Sequence, residues 1–371
     1  MRSGRLRALE GISPVLAVCF GVIAGSVLIA AMGKNPVAVY GTMFRFCLGR
    51  ADSIGAILFK TTPLVFSGLA VAVGQKAGIL NIGIEGQYFI GSFLAALAGF
   101  GLKGLPGLIH LPLAIAAGMT GGLMWAAVPA YLKIRRGVHE VISTIMMNYI
   151  AFSLVHYMVA DVFMDKAQMP IPGLGSPRVR TPLMPDSAMM PKLHGFLEMI
   201  GISLPKHTYV NWFLPLGLAL VALMYFIIWR TSFGYEVRAV GQNARASEAA
   251  GIKPGAVTVR VFLLSGAIAG LVGLSDLLCY FGYLDIDFPK GYGFNGVAVA
   301  LLGRGSPVGI VLASLLFAFL DRGAEGVQTF AGIPMETMVI LQGVMILSIL
   351  VFAEISSRYV RQVQRREAVR G

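Results

Sequence analysis

The chain has 371 residues, of which 56% are hydrophobic and only 13% are charged. A soluble domain carries about a quarter charged residues, so this composition excludes an ordinary soluble enzyme or binding module. The net charge of +12 does not indicate nucleic-acid binding, because the basic residues fall mostly in segments between long apolar runs. In such segments they orient membrane spans and contact anionic lipid.

Long apolar runs recur along the whole chain and predict an all-α, polytopic bundle of transmembrane helices. A run of about 20 apolar residues crosses the hydrocarbon core as a helix, because a backbone in lipid must pair its own polar groups. We predict about ten spans, at 12–32, 56–74, 86–101, 111–132, 141–163, 212–230, 258–281, 291–303, 307–321 and 335–354. Residues 1–371 then form a single transmembrane domain.

The first apolar run, 12–32, follows Arg2, Arg5 and Arg7, so a signal peptide is the competing interpretation. Signal peptides have an apolar core of about 7 to 15 residues. This run is longer and shows no clear cleavage site, which favours an uncleaved first span. We predict that the chain lies in the inner membrane. The distribution of basic residues then places both termini in the cytoplasm.

A glycine-rich polar motif, "AGILNIGIEGQYF" at residues 77–89, precedes the third predicted span. Its polar side chains are Asn81, Glu85 and Gln87, and its glycines include Gly83 and Gly86. Glycines permit an irregular break in a helix, and polar side chains can pair the backbone groups that the break frees. Glu85 either binds a solute or locks the broken helix, and the lock is the favoured interpretation.

A second segment, "GYGFNGVAVALLGRGSPVG" at 291–309, also places an Asn-Gly pair, Asn295-Gly296, before a short apolar helix. In an arrangement of five plus five spans, this helix and the third span occupy matching positions. Paired broken segments of this kind indicate inverted repeats with a pathway between them. Asn148, isolated in an apolar span, either lines that pathway or bonds to a neighbouring helix.

Intramembrane charges are scarce in the predicted spans. Lys60, Asp276, Asp321 and Arg322 fall near outer ends, where long side chains reach the interface. Proton- or ion-coupled carriers bury charged relays within their spans. The pattern therefore favours a transporter that receives its energy from outside the membrane domain, with an ion-coupled carrier or channel as the alternative.

Small residues are dense on several predicted helices, as in "AGMTGGLMW" and "SGAIAGLVG". Such residues let helices approach closely in a membrane, where hydrophobicity does not drive association. The three cysteines and five histidines show no spacing typical of a metal site, and no catalytic set is apparent. We therefore predict no cofactor, no metal and no enzymatic activity for this chain.

Two loops stand out. The outer loop, 164–211, is rich in Pro, Gly and Met, and it either folds over the outer mouth or is a passive connector. The inner loop, 231–257, contains a good helix start at Asn243 and an expected stop at Gly251. The short helix between them is either a surface connector or a knob that docks on a partner protein. The basic segment 355–371 is the predicted cytoplasmic tail.

Three motifs together resemble the permease subunits of bacterial ABC importers of the branched-chain amino acid, ribose and simple-sugar class. They are "GILNIGIEGQ", "FGYEVRAVGQNARASEAAGI" and "VAVALLGRGSPVGIVLASLLFAFL", which lie between residues 56 and 354. The long form with a Pro-rich outer loop is most similar to the nucleoside branch of that family. The resemblance implies a permease that moves a small polar solute, a nucleoside or simple sugar, into the cytoplasm.

The resemblance also implies partners. They are a cytoplasmic ABC ATPase, a second and shorter permease chain, and an extracytoplasmic lipoprotein that captures the solute. The chain has no phosphate-binding loop of the G-x-x-x-x-G-K-[ST] type, so ATP hydrolysis is expected in the separate ATPase. The residues expected to couple to that ATPase are Glu236, Arg238, Asn243, Arg245, Glu248 and Gly251.

Overall fold

In a computed structural model the chain is almost entirely helical, and its described residues contain no β-strand. The described residues are 2–167, 178–199, 201, 204–205, 207–333 and scattered positions from 337 to 362, with only the backbone described at 2–15 and 17. The predicted span at 335–354 and the basic tail at 355–371 therefore fall largely outside the described residues. So do residues 168–177 of the predicted outer loop.

The α-helices of the described residues are α1 Arg2–Ala31, α2 Pro36–Leu48, α3 Ala51–Lys76, α4 Ile84–Gly101, α5 Gly107–Arg136, α6 Glu140–Tyr157, α7 His194–Met199, α8 Phe213–Arg230, α9 Ser232–Gln242, α10 Ala244–Ala249, α11 Pro254–Ala269, α12 Tyr292–Leu302 and α13 Pro307–Ala331. Two π-helical turns, Met158–Val162 and Asp276–Phe281, and a 3₁₀ turn, Asp186–Ala188, complete the helical structure of this part of the chain.

Five helices are long and apolar enough to cross a membrane: α3, α5, α6 with its π-helical continuation, α8 and α13. Residues Val18–Ala31 and Pro36–Leu48 form a pair bent by 117°, which makes a sixth span if the two helices cross together. Helices α11 and α12 are shorter and apolar. The prediction of a polytopic helical protein is confirmed, whereas the number of ten spans and the inverted repeat stay predictions.

Helix α2 has no counterpart among the predicted elements. Its start is nevertheless encoded locally, because the Asn35 side chain accepts a hydrogen bond from the Val37 N–H at 2.9 Å. Pro36 follows at the first helical position, where its missing N–H is no loss. The first apolar run therefore ends at Ala31, and the chain turns sharply into a second helix.

Helix α3 is the centre of the bundle. In the most apolar 18-residue stretch of α3, 78% is buried inside the protein. The corresponding stretches of α5, α6 and α8 are each 28% buried. It contacts α8, α11, α12 and α13, while α4 packs on α5 and α5 packs on α11. Helices α5, α6 and α8 thus present apolar faces to the surroundings, as helices in lipid must.

Glycines bring α4, α5 and α11 into close contact. A methyl group added at Gly91 of α4 would lie 2.8 Å from the Gly118 carbonyl oxygen of α5 and 2.8 Å from the Gly270 Cα. One added at Gly266 of α11 would lie 2.6 Å from the Gly122 carbonyl oxygen of α5. These contacts agree with the packing interpretation of the small residues, since any side chain would separate the helices.

The two ends of α3 define two sides of the bundle, which we call the Ala51 side and the Lys76 side. The described part of the long loop lies on the Ala51 side, where the Thr181 N–H donates to the Leu284 carbonyl at 2.8 Å. The Met190 N–H donates to the Leu278 carbonyl at 2.7 Å. The described part of the loop is therefore packed onto the bundle by backbone hydrogen bonds.

Candidate functional site

Residues 77–83 form an irregular segment between α3 and α4, which we call the break, and the polar side chains around it are buried. Asn81 follows the end of α3, and its Oδ1 accepts from the Gly83 N–H at 3.0 Å, just before α4 begins. The Asn81 Nδ2 donates to the Gln87 Oε1 at 3.0 Å and to the Ser265 Oγ of α11 at 2.9 Å. The Ser265 hydroxyl in turn donates to the Ala70 carbonyl of α3 at 2.8 Å. One amide therefore ties α3, α4 and α11 together.

Asn148 supports the same break from α6. Its Oδ1 accepts from the Gly86 N–H at 2.8 Å, and its Nδ2 donates to the Ile82 carbonyl at 3.0 Å. The first N–H groups of a helix have no partner within the helix, so the amide satisfies one of those at the start of α4. A methyl group added at Gly86 would lie 3.0 Å from both the Asn148 Oδ1 and the Ala151 Cβ. The glycine lets α6 come this close.

Glu85 bonds to the start of a different helix, far along the chain. Its Oε1 accepts from the Gly291 N–H at 2.5 Å, and its Oε2 accepts from the Gly293 N–H at 2.7 Å. The carboxylate thus caps the first turn of α12, where the helix dipole also favours a negative charge. The Tyr88 hydroxyl lies 2.9 Å from Oε1 and 2.8 Å from the Pro289 carbonyl, and it shares its proton between them.

A cavity of about 540 Å³ opens next to this network, among α3, α12, α13, the π-helical turn and the long loop. Residues from the Ala51 half of α3 line it, whereas Val65–Gly74 farther along are buried in packing. Its lining residues include Asp52, Phe59, Lys60, His207, Tyr209, Asp276, Tyr280, Phe281, Lys290, Tyr292, Asn295, Phe317, Asp321, Arg322 and Glu325.

Ion pairs cross one wall of the cavity between α3 and α13. The Lys60 ammonium pairs with Asp321, and it lies 2.6 Å from the Glu325 Oε1. The Arg322 guanidinium pairs with the same Glu325, and it lies 3.5 Å from the Asp52 Oδ2. Both cations are therefore already neutralised by carboxylates.

Asp276 also lines the cavity, at the start of the π-helical turn Asp276–Phe281. It is 3% exposed, and its Oδ1 lies 3.5 Å from the Tyr292 hydroxyl. Its Oδ2 accepts no hydrogen bond from any residue that the structure describes. Tyr280 and Phe281 of the same turn also line the cavity. Single π-helical turns are frequent at functional sites.

The inner loop forms two helices, α9 and α10, on the Lys76 side. The Asn243 Oδ1 accepts from the Ala246 N–H at 3.1 Å and caps α10, and Gly251 ends it with φ of +85°. Arg245 and Glu248 of α10 are exposed. The short helix predicted from the sequence is therefore present, with its charged residues facing outward.

Helix α9 was not predicted, and two expected coupling residues on it have contacts inside the chain. The Arg238 guanidinium donates to the Ile228 carbonyl and lies 4.7 Å from the ring centre of Trp229. Glu236 lies 3.8 Å from the Arg260 guanidinium of α11. Arg238 therefore attaches α9 to the end of α8, whereas Glu236 makes only a surface contact with α11, and the charged residues of α10 are exposed.

The predicted pathway residues thus separate into two groups. Asn81, Glu85, Gln87 and Asn148 form the buried network of the break, with Gly83 and Gly86 at its closest contacts. Asn295 lines the cavity, and the neighbouring Gly296 packs on Ser67 of α3.

The sequence analysis missed the cavity role of Lys60, Asp276 and Asp321, which it placed near outer helix ends. Their signal was present in the sequence, because ionisable residues within or beside an apolar span are uncommon and functional by default. Sequence spacing could not bring them together, since Lys60 and Asp321 are 261 residues apart.

A polar cavity within a bundle of apolar helices is an arrangement expected of a membrane transport protein. The family model described as branched-chain amino acid transport system / permease component matches residues 53–350. The chain therefore belongs to this family of transport permeases, and its prediction as an ABC permease subunit is confirmed. No solved structure matches the chain significantly.

Several long relatives cover nearly the whole chain. The guanosine ABC transporter permease protein NupP of Bacillus subtilis is 35% identical over 90% of this chain and 91% of its own length. The nucleoside ABC transporter permease protein NupB of Lactococcus lactis is 33% identical over 91% of this chain and 90% of its own. The glucose ABC transporter permease protein TsgB13 of Haloferax volcanii is 33% identical over 94% of this chain and 88% of its own.

Weaker relatives in the same two bacteria are named for the same solutes. NupQ, a guanosine ABC transporter permease protein of B. subtilis, is 25% identical over 72% of this chain. NupC, a nucleoside ABC transporter permease protein of L. lactis, is 26% identical over 71%. Each bacterium thus has two permease chains with one named solute, and this chain is more similar to NupP and NupB than to NupQ and NupC.

Proposed function

We propose that this chain is a permease subunit of an ATP-driven ABC importer and that it moves a nucleoside into the cytoplasm. A simple sugar is the second candidate. The observation that carries the proposal is the similarity of nearly the whole chain to two permeases named for guanosine or nucleosides, with a glucose permease at comparable identity. These names describe the relatives, and the solute of this chain is the subject of the experiment below.

The proposed transporter contains three further proteins. A second, different permease chain pairs with this one, a proposal that the two-permease pattern of the nucleoside relatives supports. A cytoplasmic ATPase supplies energy, because ABC permeases are not themselves the hydrolytic subunits. An extracytoplasmic binding lipoprotein captures the solute and delivers it to the permease.

The Lys76 side is the cytoplasmic side in this proposal, and α10 is the helix that docks on the ATPase. Arg245 and Glu248 are exposed on α10, so they are free to meet a partner surface. Closure of the ATPase would move α10 and the neighbouring α9. Arg238 would pass this motion to α8, because it bonds α9 to the end of that helix. Residues 231–257 would then transmit motion to α8 and α11, on either side of the loop.

The Ala51 side would be extracytoplasmic, with loop 164–211 facing the binding protein and both termini inside. Ten spans and an inverted repeat of five plus five remain part of the proposal. The relation between α4 and α12 supports the repeat, because both helices begin after an irregular segment. Glu85 of the α4 break directly caps the start of α12.

We assign the buried network of Asn81, Glu85, Gln87 and Asn148 to locking the break and the cavity with Asn295 to the pathway. The network residues have their polar groups satisfied by protein atoms, which leaves little capacity for a solute. Asn295, in contrast, faces a space large enough for a small molecule.

Uptake of labelled guanosine tests the proposal, measured in cells with and without this gene. Loss of uptake on deletion, competed by adenosine and not by ribose or leucine, is the expected result. Uptake should also persist in a proton uncoupler while ATP lasts, because the energy comes from hydrolysis. Unchanged guanosine uptake after deletion would overturn the nucleoside assignment, and ribose or glucose would be tested next.

A further inference from the structure

The cavity contains a buried carboxylate oxygen without a partner. Asp276 is 3% exposed and lines the cavity, yet its Oδ2 accepts no hydrogen bond from the described residues. Buried polar atoms are nearly always satisfied, and an exception in a cavity indicates a missing donor. Its other oxygen has only a long contact, 3.5 Å, to the Tyr292 hydroxyl. The carboxylate therefore lacks its full set of donors, and because Asp276 lines the cavity, a molecule bound there is one source of them.

Aromatic rings form a cluster across the same cavity. The centre of the Phe59 ring lies 6.3 Å from that of Tyr209 and 6.1 Å from that of Tyr280. The Tyr209 and Tyr280 ring centres are 4.7 Å apart. All three line the cavity, and they come from α3, the long loop and the π-helical turn. Tyr280 is four residues after Asp276 on that turn. Such a cluster offers ring faces and edges against which a flat ring system packs favourably.

The charges of the cavity favour an uncharged molecule. Its lining residues include four carboxylates, Asp52, Asp276, Asp321 and Glu325, and three cations, Lys60, Lys290 and Arg322. Lys60 and Arg322 each pair with two carboxylates, so the lining has no excess of positive charge for an anionic solute. An anion would in addition face the unpaired Asp276 carboxylate. A neutral solute with N–H or O–H donors instead satisfies that carboxylate without bringing in a charge.

We infer that this cavity is a solute-binding site within the permease and that Asp276 is its specificity-determining acceptor. The site takes a nucleoside, whose base packs on the ring cluster of Phe59, Tyr209 and Tyr280 while an N–H or O–H donor bonds to Asp276. A cavity of about 540 Å³ is within the range of small-molecule sites, about 300–1,000 Å³. This inference rests on the proposed nucleoside transport and adds the residues that recognise the solute.

Initial rates of guanosine uptake test the inference in cells that express the complete transporter. Asp276→Asn keeps the shape of the side chain and weakens it as an acceptor. We expect the KM for guanosine to rise about tenfold or more, since hydrogen bonds to charged groups are worth that factor. The maximal rate and the amount in the membrane should change little. Asp161→Asn, at an exposed carboxylate of the other π-helical turn, is the matched control and should keep the wild-type KM.

Tyr280→Leu gives a second, independent variant that does not disturb the buried carboxylate. Tyr280 is 49% exposed, so its ring can be removed with little effect on folding. We expect about a tenfold rise in KM, in line with the effect of losing a base–aromatic contact. If Asp276→Asn does not reach the membrane, this variant decides alone. A wild-type KM for every variant that reaches the membrane would overturn the inference.

Competitors distinguish which donor Asp276 receives. Inosine lacks the exocyclic amino group of guanosine, and 2′,3′-dideoxyguanosine lacks both ribose hydroxyls of the diol. In the wild type, the analogue without the recognised donor should compete more weakly than unlabelled guanosine, and in Asp276→Asn this difference should disappear. A lower maximal rate with unchanged KM and unchanged selectivity would show a structural or ion-coupling role and refute the assignment. No guanosine uptake by the wild type would overturn the proposed nucleoside transport and, with it, this inference.

Discussion

Replacing Glu85 by Gln tests whether the carboxylate locks the break. The carboxylate accepts from the backbone N–H groups of Gly291 and Gly293, one at each oxygen. Gln keeps one acceptor oxygen and puts an amino group, which can only donate, in place of the other. One of the two backbone N–H groups at the start of α12 therefore loses its acceptor and faces a donor.

The magnitude follows from these contacts. A hydrogen bond to a charged group is worth about 1.5–3 kcal/mol, and a negative charge at a helix start about 0.3–1 kcal/mol. Glu85→Gln should therefore lower the free energy of unfolding by roughly 2–4 kcal/mol, because it removes one bond and the charge. Glu85→Ala should be more destabilising, since both Gly291 and Gly293 then lose their partners.

Thermal unfolding of the purified transporter in detergent measures the effect. A loss of this size lowers the Tm by several degrees in a chain of this length. Glu236→Gln is the matched control, because Glu236 has only a 3.8 Å contact with Arg260 at the surface. An unchanged Tm for Glu85→Gln would refute the lock, and an unchanged Tm with an altered KM for guanosine would make Glu85 a solute contact instead.

Three further variants test other parts of the structure. Gly86→Leu should prevent the permease from eluting as a folded, monodisperse protein, because even a methyl group would lie 3.0 Å from neighbouring atoms of α6. Gly101→Leu is the control and should elute as wild type, because a methyl group there would have nothing within 4 Å. Arg245→Glu combined with Glu248→Arg should strongly reduce uptake at a normal level in the membrane, and normal uptake would remove α10 from coupling. Lys60→Met should lower the free energy of unfolding by about 1–3 kcal/mol, since two partly exposed carboxylates lose their cation, and an unchanged Tm would show that the ion pairs contribute nothing.

Local signals in the sequence predicted the parts of the fold that local chemistry determines. The predicted span 212–230 is α8, Phe213–Arg230, and the predicted span 86–101 is most of α4. The cap at Asn243 and the stop at Gly251 also agree with the structure, because both depend on hydrogen bonds within a few residues. Helix α2 has equally local signals at its start, but it lacks the long apolar run that the prediction of spans required.

The predicted span 258–281 shows where local reasoning stops. Its helix α11 ends at Ala269, and after an irregular segment the chain forms the π-helical turn that carries Asp276 into the cavity. The apolar pattern continues through all of these residues, so hydropathy does not reveal the change in helix type. Residues that share the cavity with Asp276, such as Lys60 and Asp321, come from other helices, and their proximity is a property of the tertiary packing.

The glycines and polar residues of the break answer a single physical requirement. Helices α4 and α12 both start within the bundle, where water does not satisfy their first N–H groups, so protein atoms must accept those hydrogen bonds. Asn148 does this for α4 and Glu85 for α12, and each can approach only because Gly86 and Gly293 have no side chain. A lock made from these residues holds the two helix starts at fixed positions beside the cavity. Beside them the Asp276 Oδ2 lacks a donor among the described residues, and in the proposed site the transported solute supplies it.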